Sequence, residues 1–369
     1  MSEELRKTPL HEAHVRHGGK LVPFAGFEMA VQYPTGINAE HRAVRTHAGL
    51  FDVCHMGEFF IRGPQALDLI QKITVNDASR LAVWQVQYSA MCLEDGGIID
   101  DLLVYRGPDY YMLVVNASNK EKDLAWVQTQ AEGFDAEVVD ESDETALLAI
   151  QGPMTAEIVQ SLTATDLGEI GYYRFTRGSV AGIDGIISRT GYTGEDGFEL
   201  YIPAADAMKL WDALMEAGAD KGLIPTGLGC RDSLRLEMGY ALYGNDLDEE
   251  HTPLESGLGW VTKLDKGEFI GREVLARQKE EGVTRRLVGF RLTEKGFPRH
   301  DYPITSGGED VGVVTSGVVS PSLGVGVGMG YVPTELSKAG TEIGIRIRNK
   351  VIPAVVQRPP FYKEGSIKR

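Results

Sequence analysis

Two adjacent carboxylates, Asp100 and Asp101, stand where the turn Asp95-Gly96-Gly97 runs into the apolar stretch Leu102 to Tyr105. Glycine accepts positive φ without steric cost, and an apolar run ending in an aromatic suits a half-buried strand. Successive strand residues point to opposite faces, so the two aspartates are expected to serve different surroundings. An inward carboxylate has to be hydrogen-bonded, paired or raised in pKa, which makes it a candidate for proton transfer. The competing reading is that both are turn residues accepting from local backbone N–H groups. Other chemistries lack their residues. There is no Walker A loop, no G-x-S-x-G elbow and no C-x-x-C pair. Cys54 and His55 are neighbours, and adjacent side chains diverge, so the cysteine reads as structural. His11, His14 and His17 do not match the His-Glu-x-x-His zinc spacing. Gly324, Gly326, Gly328 and Gly330 lack dinucleotide spacing and read as a strand in a tight sheet.

The elements that would position these groups alternate between short strands and helices. Thr8-Pro9-Leu10 resembles an N-cap for a helix reaching about Gly18. Leu21 to Phe27 and Met29 to Tyr33 read as strands broken at Gly26, and Ile37 to Gly49 as a helix. Gln85 to Met91 and Leu102 to Tyr105 flank the aspartate turn, and Asn116 to Asn119 is expected to cap a helix from Lys120 to Gln130. Ala146 to Ile150 and Phe198 to Ile202 read as buried strands, the second with Glu199 and Tyr201 on one face. The helix Cys230 to Tyr240 carries Arg231 in its first turn. Beyond Arg286, short strands divided by Gly, Pro and Ser suggest a separate small β-sandwich or jelly roll. The order suggests an α+β fold with helices against antiparallel sheet.

Composition bounds the partners. The 369 residues allow two or three domains, with 43% hydrophobic and 24% charged residues. The formal charge of −16 (37 minus 53) argues against nucleic acid. Cys54, Cys92 and Cys230 are odd in number and scattered, as expected of reduced thiols in a cytoplasm. The start, Met-Ser-Glu-Glu-Leu-Arg-Lys, has no apolar h-region, and no stretch suits a membrane span.

Several stretches together resemble the aminomethyltransferase (T-protein) family of the glycine cleavage system. They are Thr8-Pro9-Leu10, Phe24 to Met29, Phe51 to Gly57, Gly96 to Leu102, Ser188 to Glu199 and Pro360-Phe361-Tyr362-Lys363. Phe27 stands where that family usually has tryptophan, and Cys54 where it has serine. The resemblance implies a three-domain clover-leaf around tetrahydrofolate. Residues 1–50 plus 145–225 would form a discontinuous first domain, and 51–144 plus 226–285 a ferredoxin-like domain. Residues 286–369 would form a C-terminal β-barrel or jelly roll. It implies transfer of a methylene from the aminomethyl-lipoyl arm of H-protein to tetrahydrofolate, with release of ammonia. No metal, flavin or nicotinamide is implied. By match to the family motifs, Asp101 would be the catalytic carboxylate and Glu199 the acceptor for the pterin edge. Met56, Tyr88 and Tyr192 would line the ring slot, and Asn116, Arg231 and Tyr240 would fix its remaining polar atoms or tail. Arg299 is a candidate for meeting H-protein or its arm. The runner-up is a folate-dependent demethylase or methyltransferase of the same fold. A folate-binding iron–sulfur assembly factor is disfavoured, because Lys266-Gly267 is followed by Glu268 rather than the cysteine of that group.

Overall fold

The computed structural model describes residues 4–367; Met1 to Glu3, where the N-terminal segment begins, lie outside them, as do the last two residues. Two antiparallel sheets pack face to face. The first has the order Phe175–Val180, Ile183–Ser188, Gly197–Pro203, Thr145–Gln151, Ala48–Asp52, with Leu223–Pro225 added in parallel at the edge. The second has the order Gln85–Cys92, Ile98–Arg106, Tyr110–Val115, Gly57–Arg62, Glu137–Asp140. Period-two alternation divides each strand between two cores. Tyr105, Met112, Val114, Phe51, Ala149 and Tyr201 pack together between the sheets. Leu102, Val104, Leu113 and Val115 pack instead under the helices of the second sheet, and Leu148, Phe198 and Leu200 under those of the first.

The two sheets repeat one topology. In the second, Gly57–Arg62 is followed by helix Ala66–Ile73, three strands, helix Lys120–Ala131 and Glu137–Asp140. In the first, Thr145–Gln151 is followed by helix Thr155–Gln160, three strands and helix Ala207–Gly218. Ala48–Asp52, from far upstream, then fills the place that Glu137–Asp140 holds in the other. The C-terminal strands close into a six-stranded barrel, Arg285–Leu292, Gly326–Pro333, Glu309–Val319, Pro303–Ser306, Glu342–Ile347, Lys350–Val356. Closure removes the edges that an open sandwich would leave. A Cβ on Gly328 would meet the Phe290 ring at 2.5 Å and the Ser316 carbonyl at 2.6 Å, which accounts for the glycine run.

Some local expectations are corrected. The first helix is only His11–Arg16, and the Thr8 hydroxyl bonds Asp52 Oδ2 at 2.6 Å instead of capping it. The three histidines have separate partners: His11 with Glu28, His14 with Asp52 and Tyr33, His17 with Trp211. The second helix ends at Thr46, and Ala48–Asp52 is already strand. Neither Asn116 nor Asn119 caps the helix from Lys120; both side chains go to Asp100. A buried carboxylate outcompetes a helix end that water can solvate.

Gly97 fixes how the aspartate strand begins. A Cβ there would lie 1.9 Å from the Glu249 carbonyl oxygen, so the 248–251 turn packs directly against the backbone. Gly97→Ala is expected to destabilise the fold by roughly 2 kcal/mol or more, read as a lower urea midpoint with an unchanged slope.

Candidate active site

Asp101 leaves Ile98–Arg106 toward the space between the sheets, and Asp100 leaves toward helix Lys120–Ala131. Ala90 pairs with Asp101, so Tyr88, two residues earlier, is its same-face diagonal neighbour. The Tyr88 hydroxyl donates to Asp101 Oδ2 at 2.9 Å. Asn116, just past the end of Tyr110–Val115, donates through Nδ2 to Asp101 Oδ1 and Asp100 Oδ1, both at 2.9 Å, and to the Asp101 carbonyl at 3.0 Å. Its backbone N–H reaches Asp100 Oδ2 at 3.0 Å. The strand does send the two carboxylates to opposite faces, but one amide spans both, so they are not independent as the alternation suggested. Burial lifts the Asp101 carboxyl to about 7, with the Asp100 charge adding to the effect and the Tyr88 and Asn116 hydrogen bonds opposing it.

The opposite wall comes from the first sheet and from helix Leu228–Met238. Glu199 is buried on the inner face of Gly197–Pro203 and accepts from the Thr190 hydroxyl. Burial raises its carboxyl, while Thr190 and the positive charge of Arg231 pull it back. Arg231 lies with its guanidinium carbon 4.4 Å from the Tyr192 ring centroid and, among the described residues, has no carboxylate at ion-pair distance. A partly desolvated cation–π contact contributes about 1–2 kcal/mol, too little to replace lost hydration. Arg231 is accordingly pushed down by burial and keeps unspent N–H donors. Tyr192 stacks on Tyr240 at 5.7 Å and 26°, and its hydroxyl donates to the Ala241 carbonyl. Asp101 and Tyr192 feel each other's charge, as do Asp101 and Arg231, and Tyr88 and Tyr192. Tyr88, Asp101, Asn116, Tyr192, Glu199, Arg231 and Tyr240 are therefore brought to one cleft. Met56, half-buried, packs against the inter-sheet core. Arg299 is elsewhere, on a concavity of the barrel.

Several cleft residues escaped sequence reasoning. Trp260, 64% exposed, stacks on Tyr88 at 6.1 Å and 21°. With Tyr88, Tyr173 and Arg80 it lines a cavity of about 250 Å³. Tyr105, Ser188, Thr190 and Tyr201 form a hydroxyl network that ends on Glu199. Only a tryptophan directly after the closely spaced Gly257 and Gly259 offered a signal for the first. The hydroxyl network joins residues of two sheets and left no local pattern.

A carboxylate poised near neutrality, aromatic walls and an acceptor facing an arginine suit a flat, amide-rich ring and a proton transfer beside it. Comparison with known families agrees. Residues 10–266 match the model described as the GCVT N-terminal domain, and residues 285–363 that of the glycine cleavage T-protein C-terminal barrel domain. The chain belongs to the glycine cleavage T-protein family. It is 53% identical over 358 residues to an aminomethyltransferase of Halothermothrix orenii, covering 97% of this chain and 100% of that one. An aminomethyltransferase of Moorella thermoacetica is 51% identical over 361 residues, covering 98% of each. The crystal structure of the glycine cleavage system aminomethyltransferase T from Bartonella henselae superposes with a TM-score of 0.93 at 35% identity, over 99% of this chain and 100% of that one. As a T-protein family member the chain is an aminomethyltransferase, a folate-dependent one-carbon transferase. Among the described residues no helix is long and apolar enough to cross a membrane, and no His/Cys/Asp/Glu group could hold a metal ion.

The raised Asp101 pKa has a stability consequence. Its folded value, about 7, exceeds the ordinary 3.8, so its stabilising contribution is complete below that ordinary value and is lost as pH rises through about 7. Asp101→Asn is expected to gain stability relative to the parent as pH rises from 5 to 8, checked by urea melts across that range.

Proposed function

We propose that the chain takes the aminomethyl group from a lipoyl arm carried by H-protein and passes its methylene to tetrahydrofolate. The products are 5,10-methylenetetrahydrofolate, ammonia and the dihydrolipoyl arm. The observation that carries this reading is Asp101, fixed by Tyr88 and Asn116, lifted by burial to about 7, and within charge range of Tyr192 and Arg231. Tetrahydrofolate, a substrate, supplies the two nitrogens that receive the carbon. The carbon loses its bonds to sulfur and to nitrogen and gains two to folate. The two protons displaced from folate nitrogens end on the thiolate and on ammonia.

In this reading Asp101 takes a proton from the attacking nitrogen and returns one to a leaving group, and its anion steadies positive charge at the carbon between. Tyr88 and Asn116 fix its two oxygens, which keeps it from turning away. Glu199 accepts from the amino edge of the pterin, for which the Thr190 bond leaves oxygen lone pairs free. Arg231 and Tyr240 supply donor and edge at the other side, and Met56, Tyr88 and Tyr192 close the slot. No covalent enzyme nucleophile is needed, and Cys54, Cys92 and Cys230 are all buried thiols, consistent with a cytoplasmic site. For the carrier protein we assign Arg299. With Lys295, Arg348 and Lys350 it lines a concavity of about 560 Å³ that has no acidic side chain, in a chain of net charge −16. That local reversal of sign suits an acidic protein surface.

Two experiments test these assignments. Asp101→Asn keeps shape and loses charge; single-turnover ammonia release from aminomethylated H-protein should fall by about a hundredfold or more, with tetrahydrofolate affinity within a few-fold. Full activity in that variant would overturn the role of Asp101. Arg299→Glu combined with Lys350→Glu should raise KM for H-protein several-fold with kcat unchanged, and the effect should shrink in high salt.

A further inference from the structure

Behind the cleft lies a carboxyl that the reaction does not touch. Asp123, on helix Lys120–Ala131, is fully buried, and among the described residues neither of its oxygens has a hydrogen-bond donor. Lys122, next to it, is committed elsewhere: its ammonium bonds the Ile99 carbonyl, the Tyr243 hydroxyl and Glu249. The carboxylate of Asp100 leaves its strand toward this same helix, where Asn119, one turn before Asp123, donates to it at 2.7 Å, and each of the two carboxyls acts on the other's pKa. Two carboxyls can approach in a dry interior only if one proton sits between them. Asp100 is not the group that carries it. Its Oδ1 already accepts from Asn116 Nδ2 and Asn119 Nδ2, and its Oδ2 from the Asn116 backbone N–H, so three donors favour its anion and one lone pair of Oδ2 stays open to a fourth. Asp123 loses nothing by being neutral.

We propose that Asp123 is a positioning residue, kept as a neutral acid whose O–H donates to Asp100, and that it thereby holds Asp100 ionised behind Asn116 and Asp101. The ionised Asp100 gives Asn116 a fixed anchor, so that the same amide presents a steady N–H to Asp101. Its negative charge also discourages a second charge on Asp101. Burial raises the Asp100 carboxyl above its ordinary value, and the bonds from Asp123, Asn116 and Asn119 pull it back. Burial first, then Asp100, lifts Asp123 to about 10, with Asp101 adding and Lys122 opposing. Asp100 faces Asp123, Asn116, Asn119 and, at longer range, Tyr243. Asp101 faces Asp100, Tyr88, Asn116, Tyr192 and Arg231. This inference rests on Asp101 being the proton-handling carboxylate only for its kinetic part; the protonation of Asp123 stands apart from it.

Infrared difference spectroscopy on the whole protein tests that part first. At about pH 8.5, where Asp101 is ionised, wild type minus Asp123→Asn should show one neutral-carboxyl stretch present in wild type and missing from the variant. The asparagine keeps an N–H donor to Asp100, so the pH profile of kcat/KM should stay within about threefold of wild type and keep its midpoint. Asp123→Leu removes the donor. Asp100 then accepts a proton, its charge no longer opposes Asp101, and the acid limb should move down by about one pH unit with kcat/KM lower by about tenfold. A merely structural role would lower activity in both variants without moving the limb. Absence of the neutral-carboxyl band would overturn the proposal, and so would an unmoved acid limb in a folded leucine variant. If that variant does not fold, the band and the asparagine profile decide. Loss of ammonia-releasing activity in wild type would count against the function proposed above and leave the infrared result intact.

Discussion

One amide holds the site together. The strand pleat sends Asp100 and Asp101 to opposite faces, one toward the helices and one toward the cleft. Asn116 Nδ2 reaches both carboxylates, because the chain leaves Tyr110–Val115 at the same level at which Ile98–Arg106 begins. The bond couples a fully buried, structural carboxylate to a half-buried reactive one. Moving either strand would break it, so the register of the hairpin and the close pass of Glu249 over Gly97 are both constraints on chemistry.

A second constraint is the helix Leu228–Met238, whose charged residues point three ways. Arg231 faces the cleft. Arg235 pairs with Asp246 at 2.6 Å and reaches Ser316 of the barrel at 2.7 Å. Glu237 takes Arg45, His41, Ser320 and Ser322, and its backbone carbonyl accepts from the C-terminal segment at Phe361. Those contacts hold the Glu237 carboxyl down at about 2 despite burial. Buried pairs of this kind are weak evidence for net stability, because desolvation of two charges offsets much of their attraction. Their effect is orientation: the barrel and the C-terminal segment can meet the helix only where each charge finds its partner, and that fixes Arg231.

The repeated topology explains why both wall carboxylates turn toward the space between the sheets. Each sheet covers one face with its own helices and must turn the other toward its partner. Asp101 and Glu199 both stand on that inner face, beside aromatic residues that supply apolar area and hydroxyl groups together. The inter-sheet space stays dry enough to shift both pKa values upward, and the arginine over the Tyr192 ring keeps the cleft from being uniformly acidic.

Much of this was legible in the sequence. Alternation placed Glu199 and Tyr201 on one face of a strand, the Asp-Gly-Gly turn marked the entrance of the strand that carries Asp101, and the motif match pointed to Asp101, Tyr88, Tyr192 and Glu199. These are local signals, carried by side-chain periodicity and by turn residues whose geometry few others accept. Tertiary structure decided the rest. Asn116 and Asn119 carry the residue types of a helix cap, yet a buried carboxylate sixteen and nineteen residues away in the chain claims them, because an unpaired charge in the interior costs more than an exposed helix end. The residues suggested a sandwich or jelly roll for the C-terminal strands and the family resemblance a barrel or jelly roll; the chain forms the closed barrel, which short glycine-rich strands do not announce by themselves. Asp123 looks like an ordinary helix aspartate until folding removes its water and leaves it one carboxylate for company. Residue types set which groups could do the chemistry; which of them keep a proton depends on burial and on neighbours distant in sequence.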